Sequence, residues 1–502
     1  MKLNPEKVDL GQLRELWSGK ACSLDSAAMH RIASAAASVD RIVAGGATVY
    51  GVNTGFGLLA NTRIPDDRLA ELQTNLILSH SAGLGEPLPR HVTRLMIVLK
   101  LLGLGRGRSG VRPLVIEALQ ALLDRDAMPI IPSQGSVGAS GDLAPLAHLI
   151  AALMGKGRID VRGEVMDAAA ALALLEMQPL QLGPKEGLAL INGTQASTAI
   201  ALDALFTGER VFASAIAAGA LSVDALKGSV KPFDLRVSAV RGQPGQIRAA
   251  ITLRELLGES PIAASHVDCG RVQDPYSFRC QPQVMGASLD LLENAARTLT
   301  IEAGAVTDNP IVFPDDDTAI SGGNFHAQPV AFAADMISMA LCEVGSISER
   351  RSAVLIDPKM SGLPPFLTED SGANSGLMIP QVTAAALVSE NRSLAFPASV
   401  DSVPTSAGQE DHVSMAPIAG RKAQKIVRNV AGIIGVELIA GAQGLDFHAP
   451  LKTSPKLQAV HAKVREITPR FTRDRYWADD MAALQEAVLA GQLGAGWLPL
   501  GD

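Results

Sequence analysis

Two of the three tyrosines in the chain lie in loops rich in Gly, Asn and Gln, where a phenol has room to do chemistry. Tyr50 lies in "VYGVNTGFG", and Gly51, Gly55 and Gly57 allow this loop to close over a ligand or to approach it tightly. A phenol becomes a candidate general base when cationic or hydrogen-bonding neighbours lower its pKa. A buried tyrosine whose hydroxyl is satisfied locally is the simpler explanation of Tyr50 taken alone.

The second of these loops, "QDPYSFR", brings Gln273, Tyr276 and Arg279 together in one short segment. The planar guanidinium of Arg279 has the fork geometry that suits a substrate carboxylate. A structural ion pair with one of the 51 acidic residues explains Arg279 equally well. The loop therefore offers a carboxylate-binding group without requiring one.

Five further loops each place one chemically useful residue beside a predicted helix. They are "LILSHSAGLG" with His80, "GSVGASGDLAPLAHL" with Ser140, "INGTQAST" with Asn192, "GGNFHAQP" with Phe325 and "TSAGQEDHVSM" with Glu410. Helix capping, a turn before a helix or the helix dipole explains each residue separately. As a set, the loops supply a candidate electrophile, a phenol, a carboxylate clamp, amides and a His/Glu pair. The set is harder to attribute to capping than any one of its members.

Other kinds of chemistry have weaker support in the sequence. There is no H-E-x-x-H motif, P-loop or nucleophile elbow, and "GLGRGRSG" follows a predicted helix instead of the strand that dinucleotide binding requires. The four cysteines are scattered without a CxxC pair, so we expect no metal site and no disulfide framework, which suits a reducing cytoplasm. A net charge of −7 with only short basic runs argues against nucleic-acid binding.

The chain also shows no pattern typical of membrane insertion or export. The segment "MKLNPEKVDLGQLRELW" carries charges throughout, so we expect no secretory signal and a cytoplasmic protein. The most apolar stretch, residues 429–444, is short and contains Glu437. We therefore expect a buried helix there and no contact with a membrane.

The elements that must position these loops are predicted to be mainly helices. Hydrophobic residues make up 47% of the chain and aromatic residues only 4%, a mixture of small and aliphatic side chains that favours close helix packing. One hairpin is predicted within 157–170, with Gly163 at its turn, and 46–63 is predicted as loop. Apolar spacing predicts two short helices within 1–45 and further helices at 66–83, 91–125, about 142–154, 186–206, 209–227, 246–256, 281–304, 326–354, 376–394 and 411–442.

A chain of 502 residues exceeds the roughly 250–300 residues at which a single hydrophobic core stops growing. We predict three segments: an N-terminal domain at 1–185, a bundle of long helices at 186–454 and a helical cap at 455–502. Long apolar helix faces usually need partner helices, so we expect the bundle to form the core of a homo-oligomer.

Together these residues resemble the aromatic amino acid ammonia-lyase family, over about residues 45–480. The motif "GSVGASGDLAPL" is the most specific part of the resemblance. It implies that Ala139-Ser140-Gly141 cyclises by itself into 4-methylideneimidazol-5-one (MIO), without an external cofactor. The nitrogen of Gly141 would attack the carbonyl of Ala139, which small residues permit, and loss of water from Ser140 would leave an electrophilic methylidene carbon. The helix that begins near Asp142 would direct its positive end at the ring.

The resemblance also implies a role for each of the other residues. Tyr50 is similar to the base that removes the β-proton, and Arg279 to the clamp on the substrate carboxylate. Four residues resemble those that surround the ring and the amino and carboxylate groups of the substrate: Asn192, Gln273, Tyr276, which we place among the catalytic residues, and Phe325. His80 and Glu410 are similar to a pair that recognises an imidazole.

The His80/Glu410 pair favours L-histidine as the substrate and trans-urocanate and ammonia as the products. A carboxylate accepts a hydrogen bond from an imidazole N–H, whereas a phenyl ring would leave it desolvated and unpaired. Because the hydroxyl of tyrosine is also a donor, a tyrosine or phenylalanine lyase or 2,3-aminomutase remains the alternative. A helical scaffold without activity is the alternative from another class. Phe396 and His448 depart from the residues usual in histidine-specific members, which puts substrate preference in doubt and leaves the reaction class unaffected.

The resemblance further implies a mainly α, fumarase/aspartase-like fold. It would be an elongated bundle of long helices, with a smaller mixed domain that carries the MIO loop. It also implies a homotetramer whose active sites are each built from more than one subunit.

Overall fold

The structure is a computed structural model that describes residues 1–45, 54, 64–65, 68–266, 272–494 and 496–501. Most of the described chain is helical, with a few short strands, so the predicted mainly α fold class is confirmed. The predicted loop at 46–63 lies outside the described residues, apart from Thr54.

The chain begins with two helices, α1 (Leu10–Trp17) and α2 (Ser26–Ala44), as the sequence predicts. Aspartates start both, because the side chain of Asp9 accepts from Gln12 N and that of Asp25 from Ala28 N. Two short parallel strands flank α1 and pair with each other: β1 (Lys2–Leu3) precedes this helix and β2 (Ser23–Leu24) follows it.

Three helices follow: α3 (Leu69–His80), α4 (Arg90–Gly105) and α5 (Pro113–Asp124). The prediction of one helical stretch over 91–125 is wrong, because the chain leaves the helix between α4 and α5. Gly107 and Gly110 have φ of +65° and +74° there, and Pro113 opens α5.

Short strands bring the site segments together. β3 (Leu84–Pro87) pairs antiparallel with β5 (Pro132–Gln134), so the chain after His80 runs beside the chain before 135–149. The predicted hairpin is confirmed as β6 (Arg158–Val161) and β7 (Glu164–Asp167), with Gly163 at φ +95° in its turn. Strand β4 (Ala127–Pro129) adds to β6, and the predicted helix after 142 is α6 (Leu143–Leu153).

The rest of the described chain is a succession of helices with one further hairpin, β8 (Ile311–Phe313) and β9 (Thr318–Ile320). The helices are α7 (Ala168–Leu174), α8 (Glu186–Ile191), α9 (Gln195–Ala225), α10 (Leu235–Ala239), α11 (Pro244–Leu257), α12 (Pro261–Ala264), α13 (Tyr276–Arg279), α14 (Gln281–Ala303), α15 (Gln328–Ile356), α16 (Pro358–Ser361), α17 (Met378–Leu394), α18 (Ala416–Asp446), α19 (Pro455–Ile467) and α20 (Trp477–Leu489).

Helix α9 corrects the predicted pair of helices at 186–206 and 209–227. The chain breaks earlier, after α8 at Asn192, and then continues unbroken through Gly208. A Cβ at Gly208 would lie 3.0 Å from the side chain of Leu341, so this glycine permits close helix packing and does not end a helix.

Contacts between residues divide the chain into two compact units. Unit 1 comprises Met1–Asp203, Ala296–Asp335 and Pro397–Arg421, and unit 2 comprises Ala204–Ala295, Met336–Phe396 and Lys422–Asp502. The predicted division at 185 and 454 into three consecutive segments stays a prediction.

Among the described residues, three helices, α9, α15 and α18, are long and apolar enough to cross a membrane by length and composition. Their most apolar windows are 83%, 67% and 89% buried inside the chain itself. Glu437, in the stretch that the sequence marks as most apolar, is fully buried on α18, where its carboxylate accepts from Arg351, Ser222 and Ser348.

Candidate active site

Two backbone turns shape the loop that carries Ser140. Gly138 and Gly141 have φ of +64° and +76°, values that residues with a Cβ rarely adopt. Ala139 is buried and Ser140 half-buried, and α6 begins two residues after Gly141. The loop therefore lies in a compact conformation that depends on its glycines.

A second glycine fixes Gly141 from the opposite side. Gly141 and Gly193 form a parallel bridge, and Asp142 N donates to Gly193 O over 2.8 Å. A Cβ on Gly141 would lie 2.3 Å from Gly193 O, far inside contact distance. Only glycine fits at position 141.

Asn192 holds the carbonyl of Ser140. It caps the C-terminus of α8, and its Nδ2 donates to Ser140 O over 3.0 Å. Behind it, the Lys100 ammonium on α4 donates to the carbonyls of Ala189 and Asn192, each over 3.0 Å. Burial lowers the pKa of Lys100 to about 8. A buried cation thus holds the backbone that carries Asn192.

Glu410 contacts the hydroxyl of Ser140 directly. Ser140 Oγ donates to Glu410 Oε1 over 2.6 Å, and Thr405 Oγ1 donates to Oε2 over 2.6 Å. Thr405 and Glu410 also form an antiparallel bridge across a tight turn with Ser406 and Ala407 at φ of +52° and +56°. Both carboxylate oxygens therefore have a defined partner.

Hydrogen bonds keep the Glu410 carboxylate ionised. Burial raises the pKa of Glu410, but the bonds donated by Ser140, Thr405 and Ser406, together with the charge of His80, outweigh burial and hold the pKa below its ordinary value. His80 ends α3, and burial lowers the pKa of its imidazole although the Glu410 charge opposes this. The charges of the predicted His/Glu pair therefore act on each other. The imidazole is also positioned by Ser79, whose Oγ lies 3.0 Å from His80 Nδ1.

Asp142 is a fully buried carboxylate at the start of α6. Its Oδ2 accepts from the backbone N of Ser197 over 2.7 Å and from Ser197 Oγ over 2.9 Å. Burial raises the pKa of Asp142 to about 6 in spite of these bonds. The carboxylate therefore ties the end of the Ser140 loop to the first turn of α9.

Phe325 lies half-buried in a turn before α15. The next residue, His326, stacks on His412 with ring centroids 5.8 Å apart, and its Nε2 lies 3.2 Å from His412 O. Since His412 follows Glu410 by two residues, the Phe325 turn is attached to the segment that carries Glu410.

Gln273, Tyr276 and Arg279 belong to unit 2 and line one hollow of about 430 Å³ with Lys359 and Met360. The Arg279 guanidinium lies 4.5 Å from the centroid of the Tyr276 ring, a cation–π contact. Tyr276 is 72% exposed. Asp274 also lines the hollow, but its carboxylate accepts from Ser229 N over 2.6 Å. The hollow thus offers two cations, one carboxylate with a backbone partner and an accessible phenol, and its cations suit a small carboxylate ligand.

The structure brings the predicted residues together in two groups. His80, Ala139, Ser140, Gly141, Asn192 and Glu410 share one region of unit 1, with the Phe325 turn attached. The second group is the unit 2 hollow. Tyr50 lies outside the described residues, and its role stays a prediction.

Sequence reasoning missed Thr405, Gly193, Ser197 and Lys100, which hold the site residues in place. Thr405 stands five residues before Glu410, so a search for hydroxyls near the predicted carboxylate would have found it. The neighbouring sequence does not indicate the role of Lys100, because this residue lies within a largely apolar helix.

Several expectations concern residues away from these groups. Within the described ranges, no cluster of three or more His, Cys, Asp or Glu side chains suits a metal ion. Phe396 is 71% exposed, and His448 Nε2 lies 2.8 Å from Ala225 O in unit 2.

Comparison with known proteins identifies one matching family and several proteins of similar sequence. The model of the family described as "Aromatic amino acid lyase" matches residues 8–466. The chain is 55% identical over 484 residues to a histidine ammonia-lyase of Paracidovorax citrulli, covering 96% of this chain and 94% of that protein.

Solved structures are similar over the same length. The crystal structure of histidine ammonia-lyase from Trypanosoma cruzi matches with a TM-score of 0.90 and 39% identity, over 98% of this chain and 93% of that one. A tyrosine aminomutase from Streptomyces globisporus matches with a TM-score of 0.93 and 33% identity, over 98% of this chain and 97% of that one. The fold of this chain therefore matches that of a histidine ammonia-lyase and that of a tyrosine aminomutase.

Proposed function

We propose that this chain, which belongs to the aromatic amino acid lyase family, eliminates ammonia from L-histidine and releases trans-urocanate. It is a carbon–nitrogen lyase, and the identity to a histidine ammonia-lyase over nearly its whole length supports this substrate. Histidine would thereby enter degradation by this reaction.

The position of Glu410 is the observation that supports histidine as the substrate. Its carboxylate is ionised and half-buried, and it acts electrostatically on His80. Loss of the Ser140 hydroxyl during MIO formation would remove the donor to Glu410 Oε1. An imidazole N–H would supply a new donor to this half-buried oxygen, whereas a phenyl ring would supply none. The pair therefore favours histidine over phenylalanine.

We infer that Ala139-Ser140-Gly141 forms MIO, and the loop fits this group. The turn at Gly141 leaves no space for a Cβ, and Asn192 donates to the carbonyl oxygen of Ser140, which the ring retains. The start of α6, two residues later, presents the positive end of a helix to the same loop. Once formed, the group supplies an electrophilic methylidene carbon that no ordinary side chain provides.

The remaining residues would bind and orient histidine. Arg279 and Gln273 hold the substrate carboxylate, with the phenol of Tyr276 beside them in the hollow. Phe325 packs beside the ring, and Tyr50 takes the β-proton. The cation–π contact that positions Arg279 against Tyr276 supports this assignment of the hollow.

We further propose a homotetramer whose active sites draw residues from more than one subunit. Tyr276 is 72% exposed, which suits a residue that a neighbouring chain completes. Apolar side chains are also exposed along two long helices, with Phe332 47% exposed on α15 and Val382 52% exposed on α17. Such faces are typical of surfaces that another helix covers.

The experiment is an assay of the purified protein with histidine, tyrosine and phenylalanine separately. We expect urocanate from histidine, and loss of that activity in Ser140→Ala and after borohydride treatment of the wild type. Cinnamate or coumarate without urocanate would assign the substrate to the alternative lyases, and a β-amino acid product to an aminomutase. Activity that neither treatment changes would refute the MIO-dependent reaction.

A further inference from the structure

We propose that Glu410 has a second role, before any substrate binds. Its carboxylate takes the Cα proton of Ser140 and passes it to the departing hydroxyl, which leaves as water. This inference rests on the proposed function, since it concerns how the Ala139-Ser140-Gly141 loop becomes MIO. It assigns Glu410 a catalytic role in maturation that is separate from its role towards the imidazole of histidine.

The geometry points to this role because the two reacting groups already touch. Ser140 Oγ lies 2.6 Å from Glu410 Oε1, the distance of a strong hydrogen bond to a carboxylate. Thr405 fixes the other oxygen of Glu410, and Asn192 fixes the carbonyl of Ser140. The hydroxyl and the carboxylate are thus held from both sides, as proton transfer requires.

The charge state of Glu410 suits a base. Hydrogen bonds hold the pKa of Glu410 below its ordinary value, so the group is a carboxylate near neutral pH. Asp142 is the acid nearest to Ser140 in sequence, but its carboxylate binds a different residue. It accepts hydrogen bonds from the backbone N and the hydroxyl of Ser197. The bonded partner of the leaving hydroxyl is therefore Glu410.

Maturation is then balanced without any further reactant. The nitrogen of Gly141 bonds to the carbonyl carbon of Ala139, and the oxygen of Ala139 leaves as the first water with the hydrogens of the Gly141 and Ser140 nitrogens. Glu410 next takes the Cα proton of Ser140, which the adjacent C=O and C=N bonds make acidic. The electron pair of that bond forms Cα=Cβ and the Cβ–Oγ bond breaks. The departing oxygen takes the proton from Glu410 and leaves as the second water, which restores the carboxylate.

The experiment follows the mass of the peptide that contains residues 135–149 during cell-free synthesis of the full chain. We expect the wild type to lose two waters. In Glu410→Gln, which keeps the shape but cannot accept the proton, we expect the one-water species to accumulate and the second loss to slow at least about tenfold. Asp411→Asn is the matched control, since it removes an exposed carboxylate one residue away and should mature like the wild type.

A second variant separates catalysis from a merely structural effect. In Glu410→Ala, added formate should restore the second loss of water, because a small carboxylate can replace the missing side chain. Circular dichroism of each variant checks that it is folded.

Two results would overturn the proposal: loss of the second water at the wild-type rate in Glu410→Gln, or a folded Glu410→Ala that formate does not restore. Failure of the wild type to lose two waters would instead refute the proposed MIO-dependent function. The two failures are therefore distinguishable.

Discussion

At the scale of single residues, the candidate site depends on side chains that hold one another in defined charge states. Ser140 has its carbonyl bonded to Asn192 and its hydroxyl to Glu410, so both ends of the residue are positioned. The Thr405 hydroxyl keeps Glu410 oriented. Buried carboxylates of this kind also make stability depend on pH, and Asp142 provides the clearest case.

Replacing Asp142 with Asn should flatten the dependence of stability on pH. In the folded chain the pKa of Asp142 is about 6, above its ordinary value of 3.8, so the folded state holds the proton more tightly. The stabilisation is complete below about pH 4 and is lost as the pH rises through 6, by about 3 kcal/mol in the free energy of unfolding. Unfolding midpoints of the wild type and Asp142→Asn between pH 4 and 7 test this. Parallel curves would contradict it.

At the scale of elements, the loop between β5 and α6 and the break between α8 and α9 fit each other through glycines and one buried cation. Gly141 meets Gly193, and Lys100 on α4 binds the carbonyls at the end of α8. The cation completes backbone groups that a helix C-terminus leaves without partners. Stability and activity should therefore respond differently to changes in these elements.

Gly141→Ala should abolish maturation, whereas Gly163→Ala should not. Both glycines have positive φ, of +76° and +95°. A Cβ at position 141 would lie 2.3 Å from Gly193 O, whereas at position 163 nothing lies within 4 Å. We expect Gly163→Ala to cost only the backbone strain of about 1–2 kcal/mol. The mass of the 135–149 peptide is the measurement, and a Gly141→Ala chain that lost two waters would refute the crowding argument.

Lys100→Met should reduce activity far more than stability. At pH 7 the buried ammonium costs about 3 kcal/mol, from a pKa lowered from 10.5 to about 8, and its loss relieves this cost. Two carbonyls lose their donor at about 1–3 kcal/mol each, so the free energy of unfolding should change by no more than about 3 kcal/mol. Because Asn192 loses its support, kcat per matured subunit should fall at least about tenfold.

Lys185→Met is the matched control for Lys100→Met. Lys185 is also fully buried, but it pairs with the Asp308 carboxylate over 2.7 Å. Removing it leaves a buried charge uncompensated, which costs about 3–5 kcal/mol. Thermal midpoints and steady-state kinetics of both variants give the comparison. If Lys100→Met lost as much stability as Lys185→Met, the relief of the buried ammonium would not offset the loss of the donor to the two carbonyls, and the argument for Lys100 would be wrong.

At the scale of the whole molecule, the described chain carries two groups of functional residues, one in each compact unit. Unit 1 contains Ser140 with its partners, and unit 2 contains the hollow of Arg279 and the exposed Tyr276. The proposed tetramer would build each active site from such groups on different subunits.

Co-expression of two inactive chains tests this arrangement. Hybrids of Ser140→Ala with Arg279→Met should regain activity at least about tenfold above either parent, because some sites then receive an intact group from each chain. Hybrids of Ser140→Ala with Asn192→Ala should regain none, since these residues touch within one chain. Activity of doubly tagged, purified hybrids is the measurement. No recovery in the first hybrid would show that Ser140 and Arg279 act from the same subunit.

Patterns carried within a few residues were predictable from the sequence. The hairpin around Gly163, the helix after Asp142 and the mainly α class follow from local spacing and turn chemistry, and all are confirmed. Two helix boundaries were wrong, at 91–125 and at Gly208. In both, the role of a glycine depends on its surroundings, because Gly107 and Gly110 lie outside a helix whereas Gly208 packs inside one.

The sequence by itself led to the chemistry proposed for this protein, because the types of residue at 139–141, 192, 279 and 410 restrict what the site can do. Only the tertiary structure decided which of them meet. Ser140 and Glu410 stand 270 positions apart, and Lys100 and Asn192 stand 92 apart. Contacts across such separations depend on how the helices pack, and no local pattern records that packing. The close fit of Gly141 against Gly193 likewise exists only when both loops are folded.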